Sequence, residues 1–320
     1  MECKKMIERP VQHSVFYPYI DVALLDKDLM KTENPLLASK AISWKDSPKD
    51  VMARLSSATV IFIHPNVFDK WTDILLLIAQ RTSLPVKLII ISQSDYAIGD
   101  EHMEVMRVFF PNTGFWIQNW CGLTEGCDIL PLGTNGMYKE LAEKSQPLGI
   151  SYVKRYLNVS HNYVGNQHRE DFYSFLEKNP AMVDYSLPKC GFFEYCYNLS
   201  KCYFTTCPMG EGFDTYRFWE SLMVGTIPVV KDHPYYDNLL LQYPNIPIIR
   251  LNTWDELITV LPTLTPELHE KMFKDSNLES LTEEYWLNKL RVIKNSIDAD
   301  KIKIESDEST QTSRGVEKDI

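Results

Sequence analysis

The sequence predicts an α/β fold of two Rossmann-like parallel-sheet domains facing across a cleft, and three observations carry that expectation. First, unbroken apolar runs of strand length recur, such as 58–63 (ATVIFI) and 86–92 (VKLIIIS). Runs of this kind mark strands covered on both faces. Second, helical patterns fall between the runs, as a parallel sheet requires for its crossovers. Third, the alternation starts twice, on either side of a turn-rich stretch at 133–149. A length of 320 residues allows two such domains.

The first half reads as strand 58–63, which ends at His64, then helix 70–80 (KWTDILLLIAQ) and strand 86–92. Short strands at 114–120 (GFWIQNW) and 128–132 (DILPL) close it. The second half opens with strand 152–159 (YVKRYLNV), helices at 169–177 and 194–200, and strand 202–206 (CYFTT). A glycine turn and a strong helix at 214–224 follow, then strand 227–230, helix 235–241 and strand 246–251. Closing helices are expected at 254–261, 266–274 and 283–294. The predicted domains are 1–145, 146–295 and a polar tail at 296–320. From about residue 305 that tail has no aromatic residue and reads as disordered.

Composition narrows the function. A net charge of −10 argues against nucleic acid as a partner, since that affinity comes largely from Lys and Arg neutralising phosphates. A small anionic ligand needs only a local positive pocket. The first residues lack an apolar leader, and no segment approaches the roughly 20 apolar residues of a membrane span. A cytoplasmic protein with reduced thiols is therefore expected, its seven cysteines being an odd number. Cys190, Cys196, Cys202 and Cys207 lack zinc-knuckle spacing and read as buried small hydrophobes.

The chemistry concentrates in 204–230 (FTTCPMGEGFDTYRFWESLMVGTIPVV). A strand runs into a loop containing Gly210 and Gly212, and a helix begins with Asp214 as its expected N-cap. Strand, glycine loop and helix N-terminus form a ready anion site, because unpaired N–H groups and the helix dipole face the ligand. On the helix, Phe218, Trp219, Leu222 and Met223 share a core-facing arc. Asp214, Arg217, Glu220 and Ser221 share the other. Arg217 is placed to bridge phosphate oxygens, and Glu220 to accept hydrogen bonds from the vicinal hydroxyls of a ribose. A solvated face with an Arg–Glu pair is the plainer alternative.

The run Cys207-Pro208, Gly210-x-Gly212-x-Asp214-Thr215-x-Arg217-Phe218-Trp219-Glu220-Ser221-Leu222, Gly225-Thr226-Ile227-Pro228-Val229-Val230 resembles the donor-binding motif of exostosin-like glycosyltransferases, in particular the compact algal and large-DNA-virus forms. Asn119 with Pro131-Leu132-Gly133, and the stretch 154–160 with Arg169, are weaker echoes. The resemblance spans about residues 55–260, and only 204–230 is specific. It implies a GT-B enzyme in which Gly210, Gly212, Asp214, Thr215, Arg217, Glu220 and Ser221 hold the donor. Lys154, Arg155 and Arg169 are further diphosphate candidates. The activity it implies is transfer of a hexosyl or pentosyl unit from a nucleotide sugar, UDP favoured over GDP, to a glycan acceptor, with no cofactor and no metal. Golgi relatives carry a membrane anchor, which this sequence does not show.

Inverting transfer needs a base beside the acceptor hydroxyl. Loops at the carboxyl ends of strands face the cleft in such halves, so Asp95 and His64 are the candidates, with Asp21 a distant third. Capping and turn chemistry are the plainer roles for each. A metal-dependent GT-A transferase would need Asp-x-Asp after a core strand; Asp298-Ala-Asp300 follows none, and Asp26-Lys27-Asp28 is the other triplet of this form. A GDP-fucose-type fucosyltransferase, or a non-catalytic nucleotide-sugar or carbohydrate-binding protein, would show much the same donor half.

Overall fold

The computed structural model describes residues 12–25, 35–68, 70–71, 75, 85–93, 97–123, 125–133, 155–159, 169–185 and 191–296. Among them run two parallel sheets. The first contains β1 (Val22–Leu25), β2 (Ala41–Ser43), β3 (Val60–Ile63), β4 (Leu88–Ile91), β5 (Gly114–Ile117) and β6 (Cys127–Ile129) in the order β2-β1-β3-β4-β5-β6. All of its pairings are parallel, for example Ile61 opposite Ile89 and Ile90 opposite Trp116. Strands β1, β3 and β4 are buried at every position, which is why they read as continuous apolar runs. The order reverses between β1 and β3, the kind of switch point that opens a crevice at the carboxyl edge of a sheet.

Helices α1 (Pro35–Ser39), α2 (Pro48–Leu55) and α3 (Asp100–Phe109) belong to this half. Ser47 caps α2 by accepting the Asp50 N–H at 3.2 Å, with Pro48 at the first helical position. A 3-10 helix, His13–Tyr19, lies ahead of β1. The helix expected at 70–80 falls mostly outside the described residues, although Trp71 and Leu75 are buried in the core.

The second sheet contains β7 (Arg155–Asn158), β8 (Cys202–Thr206), β9 (Ile227–Lys231) and β10 (Ile249–Leu251) in the order β10-β9-β8-β7. No reversal occurs among these four strands, so the site at their carboxyl edge is built by loops and not by a switch point. Its helices are α4 (Glu170–Lys178), α5 (Phe192–Leu199), α6 (Tyr216–Met223), α7 (Pro234–Gln242), α8 (Glu256–Val260) and α9 (Pro266–Lys274). Residues 283–296 form a last helix, α10.

The two halves are not packed separately. The core of the first sheet continues through Phe218, Trp219 and Leu222 of α6, Tyr235, Tyr236 and Leu239 of α7, and Trp286 and Leu290 of α10. A second core holds Leu157, Phe172, Phe204, Val229 and Trp254 between the second sheet and its own helices. The closing helix α10, expected with the second domain, returns to the first. Trp286 meets Trp116 edge-on at 4.9 Å, and Lys289 Nζ donates to Asp128 at 2.8 Å. The tail beyond residue 296 lies outside the described residues.

Candidate functional site

The carboxyl ends of β5, β6 and β8 converge on one loop, residues 207–214. Cys207 leaves β8 with its N–H donated to the Val229 carbonyl at 2.8 Å. Burial pushes its thiol up to about 12, against a smaller opposite pull from Arg217, so it stays protonated. The Gly210 N–H donates to the Gly212 carbonyl at 3.1 Å, which folds the loop tightly. Arg169, just ahead of α4, donates from Nε to the Met209 carbonyl at 2.9 Å. Its guanidinium lies 3.2 Å from where a Cβ on Gly210 would stand. Arg169 thus grips the glycine loop from the side of the second sheet.

The first half grips the same loop. Asn119, at the end of β5, has φ 55° and is completely buried. Its Oδ1 accepts the Asp214 N–H at 2.8 Å. A Cβ on Gly212 would come within 2.6 Å of that oxygen, so glycine is required here by the asparagine.

Asp214 is not the N-cap. Thr215 takes that place, its Oγ1 accepting the Phe218 N–H at 3.4 Å. The Asp214 carboxylate instead accepts the Trp219 indole N–H on one oxygen and the Leu132 N–H, at 2.8 Å, on the other. Ser221 is also turned inward and donates to the Phe218 carbonyl at 2.7 Å. Asp214, Thr215 and Ser221, expected as donor contacts, bond these polar atoms within the protein.

The polar arc of α6 is not an ordinary solvated face. Glu220 is only 5% exposed, and Arg217 is half-buried with its guanidinium 5.0 Å from the Tyr195 ring centre. Both charges lie close enough to act on the Cys207 thiol, in opposite senses. Buried charges of this kind are costly unless the site uses or pairs them.

Beside the loop lies a cavity of about 120 Å³ lined by Cys207, Pro208, Met209, Phe213, His233 and Trp254, among others. Phe213 stacks on His233 with centroids 3.5 Å apart. His233 caps α7, accepting the Tyr235 N–H at 3.1 Å, and burial holds its pKa below the usual histidine value. The rim carries the Lys231–Asp171 ion pair, at 2.5 Å.

The candidate bases separate. Asp95 and Lys154 lie outside the described residues, and only the backbone of Arg155 is described, in β7. His64 ends β3 at the switch point and is 4% exposed. Its Nδ1 accepts the Asn66 N–H at 3.2 Å, and the Gln93 backbone bonds the ring as well. Burial lowers its pKa. His64 thus caps a turn through Nδ1, the plainer of the two roles expected for it. Asp21 sits at the opposite edge, where its carboxylate accepts N–H groups of Thr59 and Val60 at 2.9 Å.

Cys196, Cys202 and Cys207 are buried free thiols, and Cys190 falls outside the described residues. Among the described residues, no three His, Cys, Asp or Glu side chains converge as metal ligands do, and no helix is long and apolar enough to cross a membrane.

Residues 188–292 match the family model of the RXYLT1 C-terminal domain, a span of roughly a third of the chain that contains the whole 207–214 loop and α6. No curated protein matches. Among solved structures, the chain is similar to an alpha-glucosyltransferase in complex with UDP-glucose and DNA containing an abasic site. The identity is 11% and the TM-score 0.36, over 80% of this chain and 86% of that one. A second alpha-glucosyltransferase structure, with UDP and a 13-mer DNA containing a HMU base, aligns at 10% identity and TM-score 0.30 over the same shares. These superpositions are loose, and the architecture stands on the strand orders above. The family match covers the stretch that carries the resemblance seen in the sequence, and the two parallel sheets agree with the two-sheet architecture expected from it.

Proposed function

We propose that the chain transfers a glycosyl unit from a nucleotide sugar, with UDP favoured over GDP, to a glycan acceptor, with inversion and without a metal. The observation that carries this reading is the half-buried Arg217 and buried Glu220 on α6, set behind a glycine loop held in place by Arg169 and Asn119. A preformed loop at a helix N-terminus favours an anion, and a guanidinium beside it suits a diphosphate. The adjoining cavity, lined by Phe213, His233 and Trp254 among others, is of a size to take the flat base of the nucleotide, and Glu220 is the acceptor proposed for the ribose hydroxyls.

In this reading Gly210, Gly212, Arg217 and Glu220 hold the donor, with Lys154, Arg155 and Arg169 as further anionic contacts. Asp95, four residues beyond β4, is the base that takes the acceptor proton as the hydroxyl attacks the anomeric carbon. The test is thermal shift with UDP- and GDP-sugars, followed by release of free nucleotide in EDTA. A ligand that binds the native state raises the melting temperature. Stabilisation by a UDP-sugar with slow, EDTA-resistant hydrolysis supports an enzyme. Saturable binding without any release makes the chain a binding protein instead, and a strict Mn²⁺ or Mg²⁺ requirement counts against the metal-free mechanism.

A further inference from the structure

We infer that Asn119 is a positioning residue through which the first half sets the shape of the glycine loop on the second. The inference rests on the reading of that loop as nucleotide-binding, but its geometry stands independently. Asn119 lies at the carboxyl end of β5, and Gly212 and Asp214 lie on the loop after β8. Its φ of 55° is left-handed, a conformation asparagine tolerates better than most residues. This turns the buried side chain out of the first sheet and onto the loop. There Oδ1 accepts the Asp214 N–H at 2.8 Å and occupies the space a side chain at 212 would need.

Asp214 extends the connection by accepting the Leu132 N–H from the end of β6 at 2.8 Å and the indole N–H of Trp219 on α6. Two strand ends of the first half therefore hold the loop and the helix behind it. An ordered loop binds a diphosphate without the cost of freezing it first, so loss of the latch lowers affinity without removing any contact to the ligand.

Asn119→Gly removes the side chain and leaves the left-handed backbone unstrained. Two readouts are taken on the folded variant: amide hydrogen exchange in residues 209–215 without ligand, and affinity for UDP. Faster exchange and about tenfold weaker UDP binding are expected, the scale of one lost buried hydrogen bond. Gly212→Ala, which leaves Asn119 in place but drives into it, should show the same two changes. In the Asn119→Gly background the alanine should bring no further rise in exchange, because the obstructing side chain is gone. Glycine at 212 with a merely local role would cost the same in both backgrounds and overturn the inference. So would a folded Asn119→Gly protein with unchanged exchange and affinity. If Asn119→Gly does not fold, Gly212→Ala decides: unchanged exchange in 209–215 sinks the latch. A wild type that binds neither UDP nor GDP would overturn the nucleotide reading alone, and the exchange measurement would still judge the latch.

Discussion

The two sheets reach their burial differently. The first is a six-stranded sheet whose core also takes in the apolar faces of α6, α7 and α10. The second has four described strands and a smaller core of its own. The helix that carries Arg217 and Glu220 therefore follows a strand of the second sheet but buries Phe218, Trp219 and Leu222 in the core of the first. Truncating a buried Phe or Trp typically costs about 3–5 kcal/mol. The helix behind the glycine loop is thus anchored by the half that does not supply its strand, and the two halves should share one stability.

The sharpest division of labour is rate against affinity. If the first half carries the acceptor chemistry, Asp95→Asn should reduce transfer by roughly 10²–10⁴, the usual range for a lost general base. UDP affinity should stay at the wild-type level. Single-turnover kinetics with a titration of UDP separates the two. An Asp95→Asn enzyme at full speed would leave the base unassigned and favour a retaining mechanism, and one that loses UDP would reverse the roles of the halves.

A shared core makes a claim about unfolding. His13 is buried and donates its Nε2–H to the Pro131 carbonyl at 2.8 Å, and burial lowers its pKa from 6.5 to about 4. The folded state resists protonation there while the unfolded chain does not. This contribution is whole above pH 6.5 and is lost as the pH falls toward 4. At 1.36 kcal/mol per pKa unit the loss is on the order of 3 kcal/mol. Denaturant unfolding of wild type and His13→Gln between pH 7 and 4 should show the variant with the shallower decline. Because the core is continuous, the loss should appear in a single transition. Two resolved transitions, with only one responding to pH, would break the shared-core picture.

Arg217→Ala should weaken UDP at least tenfold in a protein that still folds, since a charge-assisted contact is worth about 1.5–3 kcal/mol. Calorimetric titration with UDP and GDP measures it. Unchanged affinity for both would remove Arg217 from the site.

What the sequence disclosed follows from where the signals are local. The runs VIFI, LIII and CYFTT became β3, β4 and β8 because unbroken apolar stretches mark two-sided burial. The four-residue β1 sits between aspartates and passed unread, as did α3, although its buried Met103, Met106 and Phe109 recur every third residue. The strand–glycine–helix motif was legible as a unit. Its cap was not, because Asp214 and Thr215 are both good caps and neighbours in sequence. The choice is made by Trp219 and by Leu132, the latter 82 residues away. Asn119 showed only as a faint echo, since nothing local says that its backbone is left-handed or that its partner is a glycine 93 positions on. His64 looked available after an apolar strand, and only the fold reveals that Asn66 and Gln93 engage its ring.

The smallest expected effect tests where the positive end of the site stops. Lys231 ends β9 on the rim of the cavity and pairs with Asp171 of α4, the two side chains being 47% and 44% exposed. An exposed pair of this kind gains little Coulomb energy and orders two flexible side chains, so its contribution is about 0–1 kcal/mol. Lys231→Met keeps the apolar stem that lines the cavity and removes only the charge. Denaturant stability should shift by less than about 1 kcal/mol, and UDP affinity by less than roughly threefold, with the shift shrinking further in high salt. Arg217, half-buried in the first turn of α6, should lose far more under the same titration. A tenfold loss at Lys231 would mean that the lysine leaves Asp171 to reach a donor phosphate, extending the anion site from the glycine loop to the end of β9. An unchanged Lys231→Met beside a crippled Arg217→Ala would confine that site to the loop and α6, the elements the first half holds in place.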